Sequence, residues 1–264
     1  MPTPLLRRWV DSLQSRGEYV FTQDQALSAI DHSPASVQRA LHRLQTKGRI
    51  VRVRTGFFLI VPLEYSSAGA PPVSWFVDPL MKYLGKPYYV AILTAAALHG
   101  ASHQQPQEFQ IMTTRPLRPI VLGRSRVVFF TNAELQSAST MPMKTPTGSM
   151  LVSTPETTAV DLVRYYRAAG YLSNVATVLR ELAPALDAKK LTQVAGRLAT
   201  VAEARRLGYL LDHVGATKLT KPLGEWLKHQ KPSPAPLRPD RPYHGLEPDR
   251  RWGVVANEAI EIEK

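Results

Sequence analysis

Apolar positions near the N-terminus recur at helical spacing. Leu5, Leu6, Trp9, Val10 and Leu13 share one side of an amphipathic helix over 3–16, and Gly17 closes it. Thr22 supplies the side-chain oxygen of an N-cap ahead of a short second helix carrying Ala26, Leu27 and Ile30. After the break at "DHSP", Ser33 is placed to cap a third helix. Pro34 takes its first position, where a missing N–H costs nothing. Val37, Leu41 and Leu44 give that helix one apolar face, and Gly48 ends it after Lys47. The period then changes from helical to alternating. Arg49–Arg54 and Phe57–Val61 are β-rich and joined through Thr55-Gly56, which predicts a hairpin.

The order α-α-α-β-β closes near Pro62, and "YSSAGAPPVS" (65–74) has linker composition. Residues 1–62 are therefore expected as one domain, 63–74 as a linker and 75–264 as a second domain. In the second domain, 78–85 and 88–99 read as helices. Short strands follow at 108–114, 118–122, 125–131, 141–145 and 149–153, and their turn punctuation predicts a small antiparallel sheet. From Thr154 the pattern is helical again, over 155–169, 172–182, 188–199, 201–213 and 222–229. The stretch 231–249 is Pro-rich and extended, and "WGVVANEAIEIE" is strand-like. The fold class is α+β: a winged helix-turn-helix followed by a mixed domain with a helical C-terminal part.

Charge changes what the first domain is for. The chain of 264 residues carries a net charge of +12, with a pI near 10.0, a balance that favours phosphate backbones. Between Ser33 and Ile60 lie six Arg or Lys and no Asp or Glu. With Val37, Leu41 and Leu44 inward, the outer face of the third helix holds Ala35, Arg39, His42 and Thr46, flanked by Ser36, Gln38 and Arg43. A helix-turn-helix with that outer face, and a basic hairpin as its wing, is an arrangement that reads duplex DNA. Gln38, Arg39, His42 and Arg43 have the reach and donors for base edges. Ser36, Lys47, Arg49, Arg52 and Arg54 suit phosphates, which set position and not sequence. Arg52 and Arg54 are expected on one strand face by alternation. The plainer alternative is a solvated surface, but ordinary surfaces mix both signs. A second acid-free stretch, 113–132, carries Arg115, Arg118, Arg124 and Arg126, and is either a second basic surface or a solvated sheet face.

Other chemistry is thinly represented. There is no Cys, which removes disulfides, thiolate catalysis and Cys-based zinc sites. His99 and His103 are four apart, but Gly100 breaks the helix between them, so a structural histidine is the better expectation. Glu156 and Asp161 are five apart and do not share a helix face. Asp161 with Arg164 or Tyr165 is expected in a hydrogen bond at the helix surface or between elements. No phosphate-loop or dinucleotide glycine pattern occurs, and no nucleophile, base and orienter assemble. No catalytic residue, metal or cofactor is expected. No apolar run is long enough for a bilayer span and the N-terminus lacks a leader pattern, so a cytoplasmic location is expected.

"LHRLQTKGRIVRVRTGFFLI" resembles the N-terminal winged helix-turn-helix of AbiEi-type antitoxins, with Gly48, Arg49, Ile50, Arg52, Gly56 and Phe58 at matching places. "YYVAILTAAALHGASHQQPQEFQIMTT" (88–114), "STPETTAVDLVRY" (153–165) and the pair Trp252 and Asn257 resemble later segments of that family. The resemblance is weakest over 170–250. It implies an autorepressor that binds inverted repeats in its own operator. It also implies a second gene encoding a nucleotidyltransferase-like toxin, opposed by the C-terminal domain without a stable complex. That is the type IV arrangement, linked to phage defence by abortive infection. Two alternatives stay open: a nucleic-acid-modifying enzyme that docks through its winged helix, and a ligand-responsive regulator.

Overall fold

A computed structural model of the chain describes residues 2–101, 106–231 and 233–262. The class is α+β, with a three-stranded antiparallel sheet and a larger mixed sheet of six strands. Residue contacts gather the chain into two compact units. The first is 1–88, 107–131 and 142–151; the second is 89–106, 132–141 and 152–264. The expected linker region, 63–74, lies in the first unit, where Ala70 and Val73 are buried and Leu63–Tyr65 and Val73–Trp75 form single 3₁₀ turns.

The first unit opens with α1 (Pro2–Ser15), β1 (Val20–Thr22), α2 (Gln23–Ala29), α3 (Pro34–Thr46), β2 (Ile50–Arg54) and β3 (Phe57–Ile60). β1 is the addition to the predicted order. It pairs antiparallel with β3, Phe21 opposite Phe58, so the sheet runs β1-β3-β2. Thr22 does two jobs, as the last residue of β1 and the N-cap of α2. Its hydroxyl accepts from the Gln25 N–H while the Gln25 side chain accepts from the Thr22 N–H, a reciprocal capping box. The winged-helix core is the predicted stripe brought together. Leu6, Val10 and Leu13 of α1, Val37, Leu41 and Leu44 of α3 and Phe58 and Ile60 of β3 are all buried in one cluster, with Trp9 packed edge-on against Phe21. α4 (Val77–Tyr83) completes the helices of this unit.

The remaining strands depart from an antiparallel meander. β5 (Glu108–Thr113) and β7 (Ser125–Thr131) run parallel over their full length, while β6 (Ile120–Leu122) joins β7 as an antiparallel hairpin. β4 (Tyr88–Val90) pairs parallel with β9 (Gly148–Ser153) at Val90 and Val152, both of which belong to the second unit. The expected helix over 88–99 is thus split: Tyr88-Tyr89-Val90 favours an extended chain by its aromatic and β-branched side chains, and only α5 (Ile92–Leu98) is helical. β8 (Thr140–Thr145) borders β9 at the sheet edge.

Five helices build the rest of the second unit: α6 (Pro155–Arg164), α7 (Tyr171–Leu182), α8 (Ala188–Leu198), α9 (Val201–His213) and α10 (Thr217–Lys228). Residues 156–163 of α6 are all buried, so α6 is its central rod. Within the Pro-rich segment β10 (Ala235–Pro236) pairs parallel with β11 (Val254–Val255), and the chain that follows β10 turns at 239–240 and 244–245 where an extended run was expected. Trp252 is buried against Gly208 of α9 and donates through Nε1 to Asp212 at 2.8 Å. Asn257 fastens the chain end, donating to the carbonyls of Arg238 and Arg241.

Candidate nucleic-acid interface

α3 shows its outer side to solvent because its inner side is fully used. Val37, Ala40, Leu41 and Leu44 are buried, a helical-period stripe that leaves one way for the helix to sit. Gln38, Arg39, His42 and Arg43 are exposed and Ser36 is half-buried. Arg39 is steadied by its own helix, Nη2 donating to Ser36 Oγ at 3.0 Å. Arg43 leans back to the start of α1, where Nη1 donates to Thr3 Oγ1 at 3.0 Å. The Ser33 hydroxyl does not cap the helix as its position predicts. It donates to Ser36 Oγ instead, and the Ser33 carbonyl closes the first turn by accepting from the Ser36 and Val37 N–H groups.

The wing is short and held. Gly56 takes φ of 75° at its turn. Its carbonyl accepts from the Gln23 N–H at 2.8 Å, and the Tyr83 hydroxyl donates to the Thr55 carbonyl at 2.9 Å. Arg52 and Lys47 are exposed. Arg52 opposes Phe58 and Arg54 opposes Phe57, so the register slips between them. A bulge of this kind interrupts the two-residue alternation that was expected to align Arg52 with Arg54. Arg49 is engaged elsewhere. Its guanidinium donates to Asp11 Oδ1 at 2.8 Å, to the Val61 carbonyl at 3.0 Å and to Gln14. It braces α1 against the hairpin, a role that competes with the phosphate contact expected of it.

Arg54 links the two acid-free stretches. It donates to the Arg118 carbonyl, and burial together with the nearby Arg118 charge lowers its pKa. Arg115, Arg118 and Arg124 are exposed, with no carboxylate partner among the described residues. Arg126 differs, because its Nε meets Glu108 Oε1 at 2.9 Å across the paired strands β7 and β5. The hairpin carrying them turns at Gly123, where an added Cβ would lie 1.7 Å from the Ala68 carbonyl oxygen. Two neighbouring cations without an acid repel one another, and an anion between them relieves that repulsion.

The other constellations are internal. His99 donates through Nε2 to the Ser153 carbonyl at 2.7 Å, and His103 lies outside the described residues. Glu156 is buried and accepts from the Asp187 N–H at 3.1 Å. Asp161 is fully buried, and neither carboxyl oxygen makes a hydrogen bond of normal geometry among the described residues, so neither the helix-surface nor the inter-element bond expected of it is formed. Burial raises its pKa to about 7, against the pull of Tyr89 and Arg164, with Glu203 adding to the rise. Burial also drives the Tyr89 hydroxyl far above its ordinary value, and the Asp161 charge adds to it.

A winged helix-turn-helix with an exposed basic face, followed by a mixed α/β and helical region, defines the class of this protein. Residues 89–213, a little under half of the chain, match the family model described as AbiEi antitoxin C-terminal domain. The match supports an antitoxin role. The crystal structure of the RV2827C protein from Mycobacterium tuberculosis is similar in fold, with a TM-score of 0.68 at 17% identity, covering 96% of this chain and 91% of that one. A nucleotidyltransferase-like antigenic protein from Paracoccidioides brasiliensis aligns over 56% of this chain and 91% of its own, at 12% identity. Its TM-score is 0.34. No curated protein matches the chain. No helix among the described residues is long and apolar enough to cross a membrane.

Proposed function

We propose that the chain is a DNA-binding autorepressor and antitoxin of an AbiE-like, type IV toxin–antitoxin operon. In this proposal it binds inverted repeats in its own operator and opposes a nucleotidyltransferase-like toxin without forming a stable complex. One observation carries the DNA-binding half: α3 exposes Gln38, Arg39 and His42 opposite a fully buried stripe, beside the exposed Arg52 of a short, anchored wing. Gln38, Arg39, His42 and Arg43 would meet base edges, where Arg favours guanine and Gln favours adenine. Ser36, Lys47, Arg52 and Arg54 would meet phosphates, extended by Arg115, Arg118 and Arg124. Arg49 and Arg126 are left to internal ion pairs.

A non-catalytic role is supported by the fate of the one tempting carboxylate pair. Glu156 is taken by a main-chain N–H and Asp161 is sealed in the interior, so neither is offered to a substrate. The test of DNA binding is a fluorescence-anisotropy titration with duplexes from the upstream region, repeated at several salt concentrations. Arg39→Ala should weaken the cognate site and narrow its advantage over random duplex, at a cost of about 1–3 kcal/mol. Arg52→Ala should weaken every duplex alike and lower the salt slope by about one. Unchanged binding in both variants would reject this face as the interface.

A further inference from the structure

We propose that a cavity of the second unit binds a phosphate-bearing small molecule of nucleotide size. The cavity has a volume of about 770 Å³ and lies against α9, α10 and the turn that carries Arg251. That volume falls within the range of small-molecule sites. Four cations line it, Arg205, Lys221, Lys228 and Arg251, against one carboxylate, Glu225. Leu227 and the bare backbone of Gly224 add an apolar part of the wall.

Two of the four cations are fixed before any ligand arrives. Arg205 donates from Nη1 to the Trp252 carbonyl at 2.6 Å, while its buried Nε has no hydrogen-bond partner among the described residues. Arg251 stacks over the Trp252 ring, with its guanidinium carbon 5.0 Å from the ring centre. It also reaches Asp212 at 2.8 Å and Thr220 Oγ1 at 3.1 Å. Asp212 holds the frame, accepting from Thr220 at 2.6 Å and from Trp252 Nε1 at 2.8 Å. The other two cations can respond. Lys221 has no carboxylate partner among the described residues, and Lys228 pairs with Glu225 at 2.8 Å. The Lys228 and Glu225 side chains are 69% and 71% exposed, so the pair is weak and easily exchanged. Lys221, Glu225 and Lys228 follow a helical period on α10, which puts both lysines on one stripe. Set against Glu225 and Asp212, the four cations leave a local positive excess, which raises the local potential and concentrates anions. A charge of several units on a compact group matches them, and Leu227 with Gly224 leaves room for an uncharged remainder. A nucleoside di- or triphosphate has that form.

The probe is ATP, titrated into the full-length chain by isothermal calorimetry at constant ionic strength, with sodium chloride as the blank. Saturable binding with a Kd below about 1 mM is expected. Lys221→Gln combined with Lys228→Gln, both on the exposed side of α10, should weaken it at least about tenfold, about 1.4 kcal/mol, with unchanged circular dichroism. Arg52→Gln in the wing should leave it as it was. The inference is overturned by an absence of saturation at about 10 mM ATP, by full affinity in the double variant, or by loss of binding in Arg52→Gln. The titration contains no DNA, so a failure of operator binding neither supports nor harms it.

Discussion

Asp161 sets the balance between burial and charge at a single position. Its carboxyl has a folded-state pKa of about 7 against an ordinary 3.8, and the cause is loss of solvent. Because the folded value is the higher one, the folded state holds the proton over a pH window in which the unfolded chain has lost it. Stability therefore falls as pH rises from about 4 to about 7. The gap sets a ceiling of roughly 4 kcal/mol for the loss. Asp161→Asn removes the titration but keeps the shape. Urea unfolding at pH 5 and pH 8 should show the variant gaining on the parent chain as pH rises, and a pH-independent difference would disprove the assignment. Arg49 makes the opposite case, a charge whose bonds are all internal. Arg49→Ala should cost about 1–2 kcal/mol of stability through its lost charged hydrogen bonds. Arg52→Ala, which leaves nothing buried unpaired, should stay within about 0.5 kcal/mol. Equal denaturation midpoints for the two would remove Arg49 from its bracing role.

At the level of elements, α1 and α3 could be read from the sequence because each has one apolar stripe with punctuation at its ends. That periodicity also orients Arg39 and His42, since burial of Val37 and Leu44 leaves them no other side. β1 could not be read so easily. Three residues, Val20–Thr22, are too few to show alternation, and Thr22 announces the helix that follows more strongly than the strand it ends. Parallel pairing of β5 with β7 was hidden for another reason: strand propensity fixes an extended chain but not its partner, and Phe109 meets Val127 only through the tertiary fold. The same gap explains Arg49 and Arg54, whose partners Asp11 and Arg118 are far off in the chain. Gly208 shows how tertiary contact reverses a local rule. Gly→Ala inside a helix ordinarily stabilises by about 0.5–1 kcal/mol. Here a Cβ would stand 2.2 Å from the Trp252 ring, and overpacking of this kind costs about 1–3 kcal/mol or more. Thermal unfolding should place Gly208→Ala below the parent chain; a higher melting temperature would show that Trp252 yields freely.

For the whole molecule, net charge and site chemistry make separate demands. A charge of +12 alone draws the chain to any polyanion, so affinity for DNA by itself says little about function. Sequence preference is the sharper measure, because in the proposed binding mode it would belong to the few side chains of α3 that meet base edges. If repression depends on that face while the segment 89–213, which matches the AbiEi antitoxin model, carries the antitoxin activity, the two should separate by mutation in the intact chain. Arg39→Ala with Arg52→Ala should release a reporter placed under the chain's own upstream region, and the operator affinity lost should exceed about tenfold at physiological salt. The same double variant, expressed from an unrelated promoter together with the proposed toxin, should still restore growth as the parent does. The unrelated promoter is essential, since derepression would otherwise raise the dose of both genes and imitate rescue. Growth arrest at matched protein levels would mean that DNA binding is part of how the toxin is opposed, and the division of labour between the winged helix and the rest of the chain would have to be given up.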